Sequence, residues 1–133
     1  MKLQAKRAIA VTVSIVLVLL IALFAGYRHA KRRSMVACTL EWGRLAPFPE
    51  GARDFAIRAE GSMFTRAFRA SFSADPDVIE KWLDDSPGTR DVTPVAVPPS
   101  TRKYTIAPGG GAQGAEVLVD DEKHVVSVYV FWS

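Results

Sequence analysis

Apolar and polar positions follow two regimes along this chain. From Ala8 to Ala25 (AIAVTVSIVLVLLIALFA) eighteen consecutive residues carry no charge, and beyond Asp54 the pattern becomes short alternating runs divided by Gly, Pro and acidic residues. With Gly26 and Tyr27 the first run makes a helix of roughly 30 Å at about 1.5 Å per residue, the thickness of a bilayer's hydrocarbon core. Twelve of the eighteen residues are Ile, Val, Leu or Phe. At a helix centre they contribute roughly −4 to −7 kcal/mol towards insertion. Thr12 and Ser14 oppose them, and hydroxyls of this kind bond back to their own helix carbonyls. A transmembrane helix over 8–27 is therefore expected, behind a basic tail over 1–7.

A cleaved signal peptide is the competing reading. It needs a shorter apolar stretch and a small-x-small site, whereas cleavage after Ala25 or Ala30 places Leu23 or Arg28 at the third position back. A lipidated Cys38 after Met35-Val36-Ala37 is disfavoured because Arg28 to Arg33 interrupts the apolar run. Lys2, Lys6 and Arg7 precede the span and Arg28, Lys31, Arg32 and Arg33 follow it, so the positive-inside bias is nearly balanced. The short amino-terminal tail favours a signal anchor in the cytoplasmic (inner) membrane, with the folded part on the extracytoplasmic side.

Residues 28–52 read as a basic flank and an irregular lead-in, with Gly43, Pro47, Pro49 and Gly51 among Leu40, Trp42, Leu45 and Phe48. The domain proper is expected over 53–133. Phe55, Ile57 and Ala59 alternate with Ala56, Arg58 and Glu60; after Gly61-Ser62, Phe64, Phe68, Ala70 and Phe72 alternate with Thr65, Ala67, Arg69, Ser71 and Ser73. That pattern predicts a β-hairpin, with Arg66 on its apolar side near an edge. Asp75-Pro76-Asp77 then reads as a helix start, and Val78, Ile79, Trp82 and Leu83 as its apolar stripe. A Pro-rich connection over 86–102 leads to strands over Lys103–Ala107, Glu116–Val119 and His124–Trp132. The expected fold is α+β: one short helix on a mostly antiparallel sheet of four or five strands, in the order β-β-α-β-β-β, with the last strand central and both its faces largely covered.

Charge changes this picture in one respect. The chain carries a formal +3, yet all fourteen acidic residues lie from Glu41 onward and seven of the seventeen basic ones precede Ser34. From Ser34 to Ser133 ten basic residues face fourteen acidic ones, a formal charge of −4. The basic character belongs to the membrane flanks, which favours the lipid bilayer as a partner and disfavours nucleic acid. One cysteine, Cys38, leaves no intramolecular disulfide, and about a hundred residues bury enough apolar surface without one.

Candidate chemistry is sparse. Gly109 to Gly114 satisfies G-x-G-x-x-G, but a strand follows it instead of a helix, so a mobile hairpin loop is the expectation. His29 and His124 are the only histidines; His124 beside Asp120 and Asp121 is what a polar turn contains. Asp84-Asp85 and Asp120-Asp121-Glu122 lack the spacing of a calcium loop. No catalytic, cofactor-binding or metal-ligating set is predicted. Of the aromatics Trp42, Trp82, Tyr104, Tyr129 and Trp132, most are expected in the core. Arg58, Arg66 and Arg69 form the one candidate ligand or partner surface. The expected function is a non-enzymatic interaction or accessory domain held at a membrane with a protein partner. The alternatives are a tethered enzyme with an acidic or arginine-based site, or a secreted domain released by cleavage.

Overall fold

A computed structural model describes all residues, 1–133. The elements are α1 (Lys2–Gly43), β1 (Arg53–Gly61), β2 (Arg66–Ser73), α2 (Pro76–Asp85), β3 (Val95–Val97), β4 (Thr101–Ile106), β5 (Gly114–Asp120) and β6 (Val125–Trp132). They fall into two compact units, Met1–Ser34 and Met35–Ser133.

The first unit is helix throughout after Met1. Its most apolar eighteen-residue window has a mean hydropathy of 3.0, with none of it buried inside the protein. Thr12 Oγ1 donates to the Ala8 carbonyl at 2.9 Å, so that hydroxyl is satisfied within its own helix. By length and composition this segment suffices for a membrane anchor, and a signal sequence has the same character.

In the second unit α1 continues to Gly43, where 28–52 was expected to be a basic flank and an irregular lead-in. No proline interrupts the chain before Pro47, and Met35, Cys38, Thr39 and Trp42 recur at i, i+3, i+4, i+7, a helical stripe that packs on the domain. Only 44–52 is irregular. The exit from α1 is a Schellman turn: Leu45 N–H donates to the Leu40 carbonyl (2.9 Å) and Arg44 N–H to the Glu41 carbonyl (3.2 Å). Arg44, at φ 51°, takes the left-handed position that glycine usually fills. Gly43 is needed one residue earlier for space, since a Cβ there would lie 2.8 Å from Leu45 Cδ1.

All six strands form one antiparallel sheet in the order β1-β2-β6-β5-β4-β3. The α+β class and central last strand agree with expectation, but the strand count is six. The extra strand, β3, comes from the Pro-rich connection: Val95, Ala96 and Val97 pair with Lys103, Arg102 and Thr101. Prolines beside it are tolerated because β3 is an edge strand. At the opposite edge a bulge between Arg53 and Ala56, with Asp54 at φ 53°, bends the start of β1.

One face of the sheet is sealed. Val126, Val128 and Val130 of β6, Val117 and Val119 of β5, and Phe72 of β2 are buried beneath Ile79, Trp82 and Leu83 of α2 and Leu45 of the lead-in. Phe48 packs its ring against Phe55, Phe72 and Trp82 at 5.0 to 6.0 Å between centroids. Ser86 Oγ donates to the Trp82 carbonyl (2.7 Å) and accepts from Ala46 N–H (2.9 Å), while Trp82 Nε1 donates to the Ala46 carbonyl (3.1 Å). Asp75 occupies the N-cap of α2 but makes no side-chain cap; its carboxylate takes Arg53 instead. The other face of β6, with Val125, Ser127, Tyr129 and Phe131, is only half-buried. The expectation that both faces are covered fails because α2 and the lead-in both lie on one side.

Gly88 tests how tightly these parts meet. A Cβ there would stand 2.2 Å from the Gly43 carbonyl oxygen, whereas one on Gly51 meets only Val78 methyls at 3.8 Å. Gly88→Ala should destabilise the domain by about 1–3 kcal/mol and Gly51→Ala should be close to neutral; thermal unfolding of the two variants, if indistinguishable, contradicts this packing.

Candidate binding face of the sheet

The half-covered face is organised in rows across the strands. One row runs Arg58, Arg69, Tyr129, Glu116, Thr105 from β1 to β4, each residue directly opposite the next. The next runs Ala56, Ser71, Ser127, Leu118, Lys103. The first row is tall at its β1 end and the second is low there, so a groove of about 390 Å³ forms between Arg58, Arg69 and Tyr129 and the small residues Ala56, Ser71 and Ser127, closed by Leu118.

Like charges directly opposite each other in a sheet repel, yet Arg58 and Arg69 are such a pair. Glu60 holds them: its Oε1 takes Arg58 Nε at 2.9 Å and its Oε2 takes Arg69 Nε at 2.9 Å. The Arg69 guanidinium also lies over the Tyr129 ring, 4.0 Å from its centroid, and that ring stacks on Phe131 at 5.3 Å. Phe131 in turn fills the space over Gly114, where a Cβ would be 2.3 Å from its ring. The Arg69 hydrogen bond is the main cause holding the Glu60 carboxyl below its ordinary range; desolvation opposes it, and the Arg69 and Arg58 charges assist it. Glu116, further along the row, is paired with Lys103 at 3.1 Å. The Nη nitrogens of Arg58 and Arg69 and the hydroxyls of Ser71, Ser127 and Tyr129 make no hydrogen bond within the protein. Arginine does not release its proton, so the two guanidiniums are suited to holding an anion and not to proton transfer.

Of the three arginines singled out from the sequence, the fold unites Arg58 and Arg69 but sets Arg66 apart. Arg66 pairs with Gly61 and Trp132 at the other end of β2 and lines a separate hollow with Trp42, Met63 and Trp132. Ser71 and Ser127 escaped sequence reasoning, whereas Tyr129 was among the aromatics considered there. Alternation put Tyr129 on the second face of its strand, but only the pairing register brings it opposite Arg69.

The other candidates have structural explanations. The glycine-rich loop is not a free hairpin tip: Gly109 N–H donates to the Trp42 carbonyl at 2.9 Å, and Cβ atoms on Gly109 and Gly110 would meet the Glu41 carbonyl oxygen (3.0 Å) and Trp42 Cδ1 (2.8 Å). It packs against the end of α1. His124 is an exposed turn residue at φ 55°, just before β6. Asp120 Oδ1 accepts from Lys123 N–H, Glu122 N–H and Ser100 Oγ; the Lys123 bond is the leading cause holding this carboxyl below its usual range. Asp121 takes Arg102 through Nε and Nη2, and the same guanidinium reaches Glu80 of α2 and the Tyr104 hydroxyl (2.9 Å). That cluster ties α2 to the sheet. Cys38 is half-buried against the core. No family model, no curated protein and no solved structure matches this chain.

Two outcomes test these charges. In a carboxyl NMR titration Glu60 should ionise below free glutamate, and Arg69→Gln should raise its midpoint; an unmoved midpoint contradicts the shared-carboxylate arrangement. The sign for stability follows: with its folded value depressed, Glu60 contributes fully above its unfolded value and loses that contribution as pH falls through the folded one. Separately, Arg102→Met should cost about 1–2 kcal/mol by denaturant unfolding, since it breaks charged hydrogen bonds at a guanidinium that is mostly covered; unchanged stability counts against the tie.

Proposed function

We propose that this chain is a single-pass membrane-anchored protein that presents a small non-enzymatic binding domain, with the half-covered sheet face as its binding surface. The observation that carries the reading is the asymmetry of the sheet. Helix and lead-in seal one side with a continuous apolar core, while the other side displays aromatic rings, hydroxyls and two arginines with unused hydrogen-bond donors. A domain with no need of that second surface would gain by covering Leu118, Tyr129 and Phe131.

The anchor half of the proposal is supported by the exposed apolar length of α1. The cations that flank the span would then lie in the headgroup regions, each adding about 1 kcal/mol of attraction to anionic lipid. We take the domain to lie on the extracytoplasmic side, the layout of a signal anchor whose span precedes its folded part.

The reading is tested by expressing the chain, extracting membranes at alkaline pH and measuring the intact mass of what stays behind. The expected product is the full 14.6 kDa chain in the membrane pellet. A soluble product lacking the first 25 or 30 residues replaces the anchor with a secreted domain.

A further inference from the structure

We infer that the groove beside Arg58 and Arg69 binds a small monoanionic carboxylate, with its charged end on the two guanidiniums and an apolar body lying along the sheet towards Leu118. This rests on the reading of that face as the binding surface and gives it a ligand class.

Charge gives the first argument. The groups at the head of the groove are Arg58, Arg69 and Glu60, with formal charges summing to +1; Glu116 and Lys103, further along, cancel as a pair. One carboxylate brings the head to neutrality. A phosphate dianion would overshoot, and a cation would find only a carboxylate already occupied by two arginines. Geometry gives the second. Glu60 engages each guanidinium through Nε, which orients both forks and leaves the Nη nitrogens to donate to another acceptor. Arg69 is held from below by Tyr129, so little side-chain freedom is lost on binding. Shape gives the third. Beyond the arginines the floor is low and mixed, made by Ala56, Ser71 and Ser127, and the far wall is the aliphatic Leu118. A chain of a few methylene groups can cross that floor, with the Ser71 and Ser127 hydroxyls at hand for a polar substituent.

The test uses the full chain, 15N-labelled, in maltoside micelles, which bring no phosphate of their own. Hexanoate, 1-hexanol and inorganic phosphate are titrated while the arginine Nε–H resonances and the amides of Ser71, Ser127 and Tyr129 are followed. Hexanoate should move this set saturably, more weakly as salt is raised, and 1-hexanol should not. Arg58→Gln and Arg69→Gln should each weaken hexanoate binding by about tenfold or more. Arg66→Gln, in the separate hollow, should leave it unchanged. Two arginine variants are used so that loss of the Tyr129 contact in one does not decide the result alone. Phosphate binding more tightly than hexanoate on the same resonances, hexanol matching hexanoate, or hexanoate binding untouched in both arginine variants would overturn the inference. Silence from all three probes overturns it as well, while the membrane extraction and intact mass decide the anchor independently.

Discussion

The end of α1 is the point on which the domain is assembled. A helix leaves its last carbonyls without partners, and buried ones must be met by something. Here the Leu40 and Glu41 carbonyls are met by the Schellman turn, and the Trp42 carbonyl by Gly109. Just past the helix, the Arg44 carbonyl is met by Gly88 at 2.7 Å, and the Arg44 side chain donates to the Ala107 and Pro87 carbonyls. Two distant loops, after α2 and after β4, therefore converge on one turn of backbone. Each brings a glycine because backbone approaches backbone too closely for a side chain. Met35 to Gly43 is thus part of the domain's own packing, and Leu45, placed by the same turn, enters the core.

Fixing that corner also decides which side of the sheet is sealed. The lead-in from Leu45 to Phe48 lies on the same face as α2, with Ala46 bonded to Ser86 and Trp82. Both coverings are spent on one side, and Tyr129, Phe131 and Leu118 on the other must be sheltered by cross-strand neighbours alone. Stacking of Tyr129 on Phe131 and capping of Tyr129 by Arg69 achieve part of this. The arginine that shelters the ring also lines the groove. Packing of this face and the shape of the groove therefore share a side chain.

What could be read in the sequence followed from periods and local chemistry. The apolar run of α1, the first hairpin, the stripe of α2 and the alternation of β6 all announce themselves. Elements with weak local signals were hidden. Residues 28–43 mix charges, small residues and hydrophobes, and their helical stripe is visible only once Met35, Cys38, Thr39 and Trp42 are seen to share a core. The segment Val95–Val97, set among prolines, becomes a strand by pairing with β4. The same limit applies to the site. Alternation already puts Arg66 on the opposite face from Arg58 and Arg69. Only the register shows that Arg58 and Arg69 stand directly opposite each other. Glu60 as their common partner is a consequence of pairing across β1 and β2.

The position of β6 carries a consequence in time. The β1–β2 hairpin and the β3–β5 meander have no strand pairing with each other; the last strand lies between them and joins both. During synthesis the sheet cannot close until β6, which follows both parts in the chain, is made. A chain that stops before β6 therefore leaves the sheet in two separate parts, and not merely one strand smaller.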